Sequence, residues 1–137
     1  MIVLIDTNIL LDCLQERQPH AAAATRIWKL VEERGLTGFV SVISFNNIFY
    51  IARKQVGSKR ALDAVKLVRS TFQIVPVDET VIDRAIATPT ADFEDAIQAA
   101  SAERIGADYV VTRNISDFAS MGKPCVTAEE LLALLQP

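Results

Sequence analysis

The chain has 137 residues, half of them hydrophobic and 23% charged, a mixture that excludes a disordered protein and predicts one domain over residues 1–137. Its net charge of -3 argues against coating nucleic acid by bulk attraction, although a bound metal or a local basic rim could still hold phosphates. The apolar stretches are strand-sized, well short of the ~20 residues that cross a bilayer. Asp6 interrupts the first of them, so neither a signal peptide nor a membrane span is expected. Cys13 and Cys125 lack CxxC partners, which leaves no zinc knuckle or disulfide framework and points to a reducing, cytoplasmic setting.

Residues 1–5 read as a strand, and Asp6, Thr7 and Asn8 offer N-cap chemistry for a short helix to about residue 15. Pro19 and His20 open a second helix, with Ile27, Leu30 and Val31 on one face and Gly35 as its stop. A short strand over 38–41 precedes a helix capped by Ser44, and 59–71 forms another amphipathic helix. Residues 72–77 read as a strand, Asp78 as the cap of a helix to about Ala87, and 88–91 as a loop. A helix from Asp92 to Ile105 stops at Gly106, 108–112 is the next strand, and 112–118 is a loop. A last short strand lies near Cys125, and Thr127 and Glu130 have capping-box spacing before Leu131 to Leu135. Strands alternating with helices imply an α/β sandwich built on a mostly parallel sheet. The Ile/Val/Leu-rich strands suit a sheet covered on both faces.

In such a sheet the ligand crevice opens at the carboxyl ends of the strands. Asp6 follows the first strand and Asp117 comes shortly after the strand ending near Thr112. Asp95 follows Asp92 by three residues at a helix start, so the two share a face while Glu94 is expected to point elsewhere. Converging carboxylates repel unless a hard cation such as Mg²⁺ or Mn²⁺ holds them. Each acid also has an ordinary structural role: Asp6 and Asp92 as helix caps, Asp117 as a turn residue. Ala96, Ala99, Ala100 and Ala102 would let the Asp95 helix pack close to the sheet and bring Asp95 near Asp6. Phe118 would pin the Asp117 loop to the core. Arg53, Lys54, Lys59 and Arg60 are candidates for a basic rim or simply a solvated helix surface.

Four motifs stand in order along nearly the whole chain: Asp6-Thr7-Asn8, Ser41-x-x-Ser44-x-x-Asn47, Asp95-x-x-x-Ala99-Ala100-x-Ala102, and Thr112-Arg113-Asn114-x-x-Asp117-Phe118. In this the chain resembles PIN-domain ribonucleases, including the toxins of bacterial toxin–antitoxin pairs. The resemblance implies a three-layer sandwich with a five-stranded, mostly parallel sheet, and hydrolysis of RNA phosphodiesters with Mg²⁺ or Mn²⁺. It implies metal ligation by Asp6, Asp95 and Asp117, with Asp92 a further candidate, and a site-lining hydroxyl at Thr112. It also implies a homodimer and an antitoxin partner, with Phe45, Ile48, Phe49 and Tyr50 offering a dimer face. Asn47 and Asn114 stand where the family usually has acids. Each removes a negative charge, so divalent metal should bind more weakly, while the amides position water or phosphate. Arg113 and Asn8 are candidate substrate contacts.

Two other readings compete. A catalytically weakened PIN module would bind RNA or protein through the same fold, with Asn47 and Asn114 as its signature. A receiver-like phospho-acceptor domain would use Asp6, Thr112 and Lys123, but its central acceptor has only Asp78 as a candidate. The single histidine, His20, reads as a surface or capping residue, and there is no GxSxG elbow, P-loop or GxGxxG turn.

Overall fold

The computed structural model describes residues 1–90 and 92–136. In chain order the elements are β1 (Ile2–Ile5), α1 (Thr7–Leu14), α2 (Ala21–Glu32), β2 (Thr37–Ser41), α3 (Val42–Thr71), β3 (Gln73–Val75), α4 (Glu79–Ala87), α5 (Phe93–Arg104), β4 (Tyr109–Val111), α6 (Ile115–Ser120), β5 (Cys125–Val126) and α7 (Ala128–Leu135). The five strands form one sheet of order β3-β2-β1-β4-β5, and every neighbouring pair is parallel.

Alternation along the strands explains the layers. Val3, Ile5, Val40 and Val111 enter a core shared with α1, α2 and α7, whereas Leu4 and Val110 enter one that includes Ala99 and Ala102 of α5 and Phe118 of α6. Both faces of the central strands are therefore buried, as runs such as Ile2–Ile5 require. The chain leaves β1 for β2 on one side and reaches β4 only later on the other. That reversal opens a crevice beyond the carboxyl ends of β1 and β4.

Several local expectations need correction. The helix after β2 starts at Val42, with Ser41 at its N-cap position, so Ser44 lies inside the first turn and its hydroxyl is buried against Thr7 and Gln98. Ser44 and Asn47 cannot then form a capping box. The helices expected on either side of residue 57 are joined end to end, with Gly57 at φ 83° and ψ 168° as the break, a backbone state that glycine adopts without a Cβ penalty. Residues 115–118 of the expected 112–118 loop belong to α6 (Ile115–Ser120), with Phe118 fully buried as anticipated. Ile48 belongs to the core, so of the proposed dimer face only Tyr50 is well exposed. The expected 88–91 loop includes Ala91, which lies outside the described residues. Among the described residues no helix is long and apolar enough to cross a membrane.

Gly38 marks the tightest contact between β2 and the helical layer. A Cβ there would lie 2.8 Å from Val31 Cγ2 and 2.9 Å from the Phe72 ring, which is held edge-on against Trp28. Gly38→Ala should cost about 1–3 kcal/mol by overpacking, measured as a lower urea midpoint with an unchanged m-value.

Candidate active site

Asp6 is the first residue beyond β1, and two kinds of bond fix it. Its backbone N–H extends the β1–β4 ladder to Val111 O at 3.0 Å. Its carboxylate caps α1, with Oδ1 accepting from Thr7 N at 2.8 Å, while Oδ2 accepts from Thr112 Oγ1 at 2.8 Å. Thr112 is fully buried, and its Oγ1 also accepts from Asn114 N at 2.9 Å. One hydroxyl thus couples the ends of the two strands flanking the crevice.

Asp95 faces Asp6 from the first turn of α5. Asp92 caps that helix, its Oδ1 accepting from Asp95 N at 3.1 Å. Ala96, Ala99, Ala100 and Ala102 are all buried, so α5 lies close on the sheet and Asp95 is only 3% exposed. Asp117 projects toward Asp95 from α6 and is itself exposed. Burial pushes the Asp6 carboxyl up to about 6, opposed by the bonds from Thr112 and Thr7 and reinforced by the charges of Glu94 and Asp92. Burial first, then the charges of Asp6 and Asp92, then a hydrogen bond with Asp117 and that residue's charge, push Asp95 up to about 7. Asp95 Oδ2 is buried without a hydrogen-bond partner. A buried carboxylate oxygen in that state has a large unmet demand for positive charge.

Glu94 corrects the sequence reading. It does not point away: Thr7 Oγ1 donates to its Oε1 at 3.1 Å, and its charge reaches Asp6. It lines a cavity of about 250 Å³ together with Thr7, Asn8, Asn47, Tyr50 and Ile51. Behind that cavity lies a buried polar relay, in which Gln98 Nε2 donates to Ser44 Oγ at 2.9 Å and to Thr7 Oγ1 at 3.3 Å. The signal that could have revealed Glu94 is its i,i+4 relation to Gln98 on an otherwise alanine-rich helix. Residues 95–102 are buried without interruption, so α5 has no single outer face and neighbouring positions both turn inward.

The other predicted residues divide. Asn47 and Asn8 line the Glu94 cavity, while Asn114 occupies the N-cap position of α6 without a side-chain capping bond. Arg113, expected as a rim contact, is clasped by Asp12, with Nη2 donating to Oδ1 at 3.0 Å and Nε 2.9 Å from Oδ2. Arg53 is stacked on the Tyr50 ring, its Cζ 5.0 Å from the centroid. Asp78, the sole phospho-acceptor candidate, caps α4 beyond the edge strand β3, two strands from Asp6, and pairs with Arg104. A larger cavity, about 580 Å³, opens near Arg34, Thr37 and Gln73 at the amino ends of β2 and β3 and holds only one carboxylate, Glu32.

The residues also bear on what could be bound. Among the described residues no three carboxylate, His or Cys side chains converge on one point. Mg²⁺ needs no such cage, because it commonly keeps several waters and takes one or two carboxylates plus substrate phosphate. Asp6 with the orphaned Asp95 oxygen meets that requirement.

The PIN domain family model matches residues 2–116. The chain belongs to the PIN-domain family. Its fold is shared with VapBC2 from Rickettsia felis, solved with a promoter DNA fragment, at TM-score 0.73 and 17% identity over 93% of this chain and 98% of that one. It is also shared with a toxin–antitoxin complex from Klebsiella pneumoniae at TM-score 0.69, 28% identical over 92% of this chain and 97% of that one. A third structure, Mycobacterium tuberculosis VapC20, described as a sarcin-ricin-loop-cleaving toxin, aligns at TM-score 0.71 and 14% identity over 88% and 95% of the two chains. No curated protein sequence matches. The PIN assignment leaves the receiver reading without support.

Because Asp6 and Asp95 titrate above 3.8 when folded, the native state holds protons that the unfolded chain has already lost. Their stabilising contribution is complete below about pH 4 and is lost as pH rises to about 7. In EDTA, denaturation midpoints should fall between about pH 5 and 7.5. Asp95→Asn should flatten that decline, and an unchanged slope in the variant would refute the assignment.

Proposed function

We propose that this PIN domain is a divalent-metal-dependent endoribonuclease, acting as the toxin of a toxin–antitoxin pair. The observation that carries the reading is the buried, unpartnered Asp95 oxygen beside Asp6 at the β1–β4 crevice. In this reading Asp6 and Asp95 hold Mg²⁺ or Mn²⁺, with Asp117 and Asp92 directing coordinated waters. Bound there, the cation supplies Lewis-acid neutralisation of the scissile phosphate and lowers the pKa of the attacking water. Thr112 and Thr7 N keep the Asp6 carboxylate in one orientation. Asn47 and Asn114 orient water or phosphate through neutral amides, with Asn8 alongside the substrate.

A protein antitoxin and a homodimer belong to the same proposal. The toxin–antitoxin assemblies among the structural neighbours support the first, and the exposed Tyr50 ring on α3 supports a dimer face. A non-cleaving module that binds RNA or protein is the second reading, favoured by the neutral side chains at positions 47 and 114.

Single-stranded RNA should be cut in Mg²⁺ or Mn²⁺, not in EDTA, and Asp6→Ala should lower the rate at least about a hundredfold, which is about 2.7 kcal/mol in the barrier. Mn²⁺ should also raise the melting temperature of the wild type and not of Asp95→Asn. A metal-induced rise without cleavage would transfer support to the binding module.

A further inference from the structure

Asp12 is fully buried in the last turn of α1, and its carboxylate neither caps a helix nor enters the carboxylate crevice. A buried carboxylate survives only when firmly paired. Its partners come from two separate loops. Arg113, directly after Thr112, donates from Nη2 to Asp12 Oδ1 at 3.0 Å and holds Nε 2.9 Å from Oδ2 in an ion contact without hydrogen-bond geometry. Arg17, from the loop after α1, sits 3.9 Å from Oδ1, and its backbone N–H donates to Asp12 O. The Arg17 guanidinium is held further by Gln15 Oε1 at 2.9 Å and by Asn8 Oδ1 at 3.3 Å.

Two guanidinium groups share one carboxylate, so the cluster carries a surplus positive charge. Both side chains remain about one third exposed, at 31% for Arg17 and 35% for Arg113. His20 Nε2 stands 3.5 Å from Arg113 Nη1 and continues the polar ridge. The ridge adjoins the crevice at two points: Arg113 follows the threonine bonded to Asp6, and Asn8 lines the cavity shared with Asn47 and Glu94. The crevice is bordered by Asp6, Asp92, Glu94, Asp95 and Asp117, whose negative charge repels a polyanion.

We propose that Arg17 and Arg113 form a phosphodiester-binding subsite for the RNA strand flanking the cleavage point, with Asp12 as the positioning residue that holds them rigid. Arginine suits this task because a planar guanidinium can keep one edge on a carboxylate and present the remaining N–H groups to phosphate. The inference rests on the reading of this protein as acting on RNA, and its test separates the two.

The test is binding of a fluorescently labelled single-stranded RNA in EDTA, where no cleavage occurs, followed by anisotropy across a salt titration. Arg17→Gln and Arg113→Gln should each weaken binding roughly tenfold and reduce the salt slope by about 0.7. Asp12→Asn, which makes the protein more positive, should nevertheless bind RNA more weakly, because Arg113 is released. Under cleaving conditions the arginine variants should raise KM with kcat within about twofold. Wild-type RNA affinity and slope in all three variants, whatever their melting temperatures, would make the cluster a structural ion pair only and overturn the proposal. Arg17→Gln keeps this decision open if Asp12→Asn does not fold. Wild-type protein that binds RNA in EDTA and cuts none in Mg²⁺ or Mn²⁺ would sink the nuclease reading while the slopes still decide the subsite, and absence of RNA binding in EDTA would overturn the subsite.

Discussion

The position of Asp6 is the constraint on which the site depends. Its N–H is part of the sheet, bonded to Val111 O, so the residue cannot shift without fraying the β1–β4 ladder. Its two oxygens are taken by Thr7 N and Thr112 Oγ1, which fix the carboxylate plane. Parallel pairing then determines the rest. Because β2 and β4 lie on opposite sides of β1, Asp6 is placed at the one point where the layers separate, and α5 covers that point with alanines. Close packing of α5 makes the carboxylate pair costly: it removes water from Asp95 within reach of the Asp6 charge.

That cost distinguishes a prepared site from an incidental acidic cluster. Surface carboxylates relax into solvent, whereas Asp95 is 3% exposed and its Oδ2 has no donor. The protein offers Asp6 two donors and leaves Asp95 with one oxygen unmet. Such asymmetry suits a pair in which one ligand is rigidly oriented and the other completes its coordination only when a cation is present.

The sequence carried the fold in its alternation of buried strands and amphipathic helices, and the acids beyond β1 and β4 marked the crevice because parallel strands always open there. What it concealed had specific causes. Glu94 was misplaced because a face argument assumes one buried side, and α5 is buried around its circumference from Asp95 to Ala102. Ser44 looked like a cap because serines favour helix starts, yet the start is three residues earlier and the hydroxyl joins the Thr7–Gln98 relay. Asp12 gave no signal at all. Arg17 stands five residues on, beyond the helix end, and Arg113 meets Asp12 only through tertiary structure.

Glu94 also changes how the asparagines at positions 47 and 114 should be weighed. Counting aligned positions alone suggests a centre depleted by two negative charges. The cavity wall that carries Asn47 also carries Glu94, donated from α5 rather than α3, and its charge acts on Asp6. Thr7 holds that carboxylate through a hydroxyl that Ser44 and Gln98 hold in turn. Beside the neutral Asn47, negative charge near the crevice is supplied by Glu94, held by hydrogen bonds. At position 114 the backbone is what engages the site: Asn114 N donates to Thr112 Oγ1, the hydroxyl that orients Asp6. The two asparagines are therefore physically different, one beside the Glu94 carboxylate and the other beside the hydroxyl that aligns Asp6.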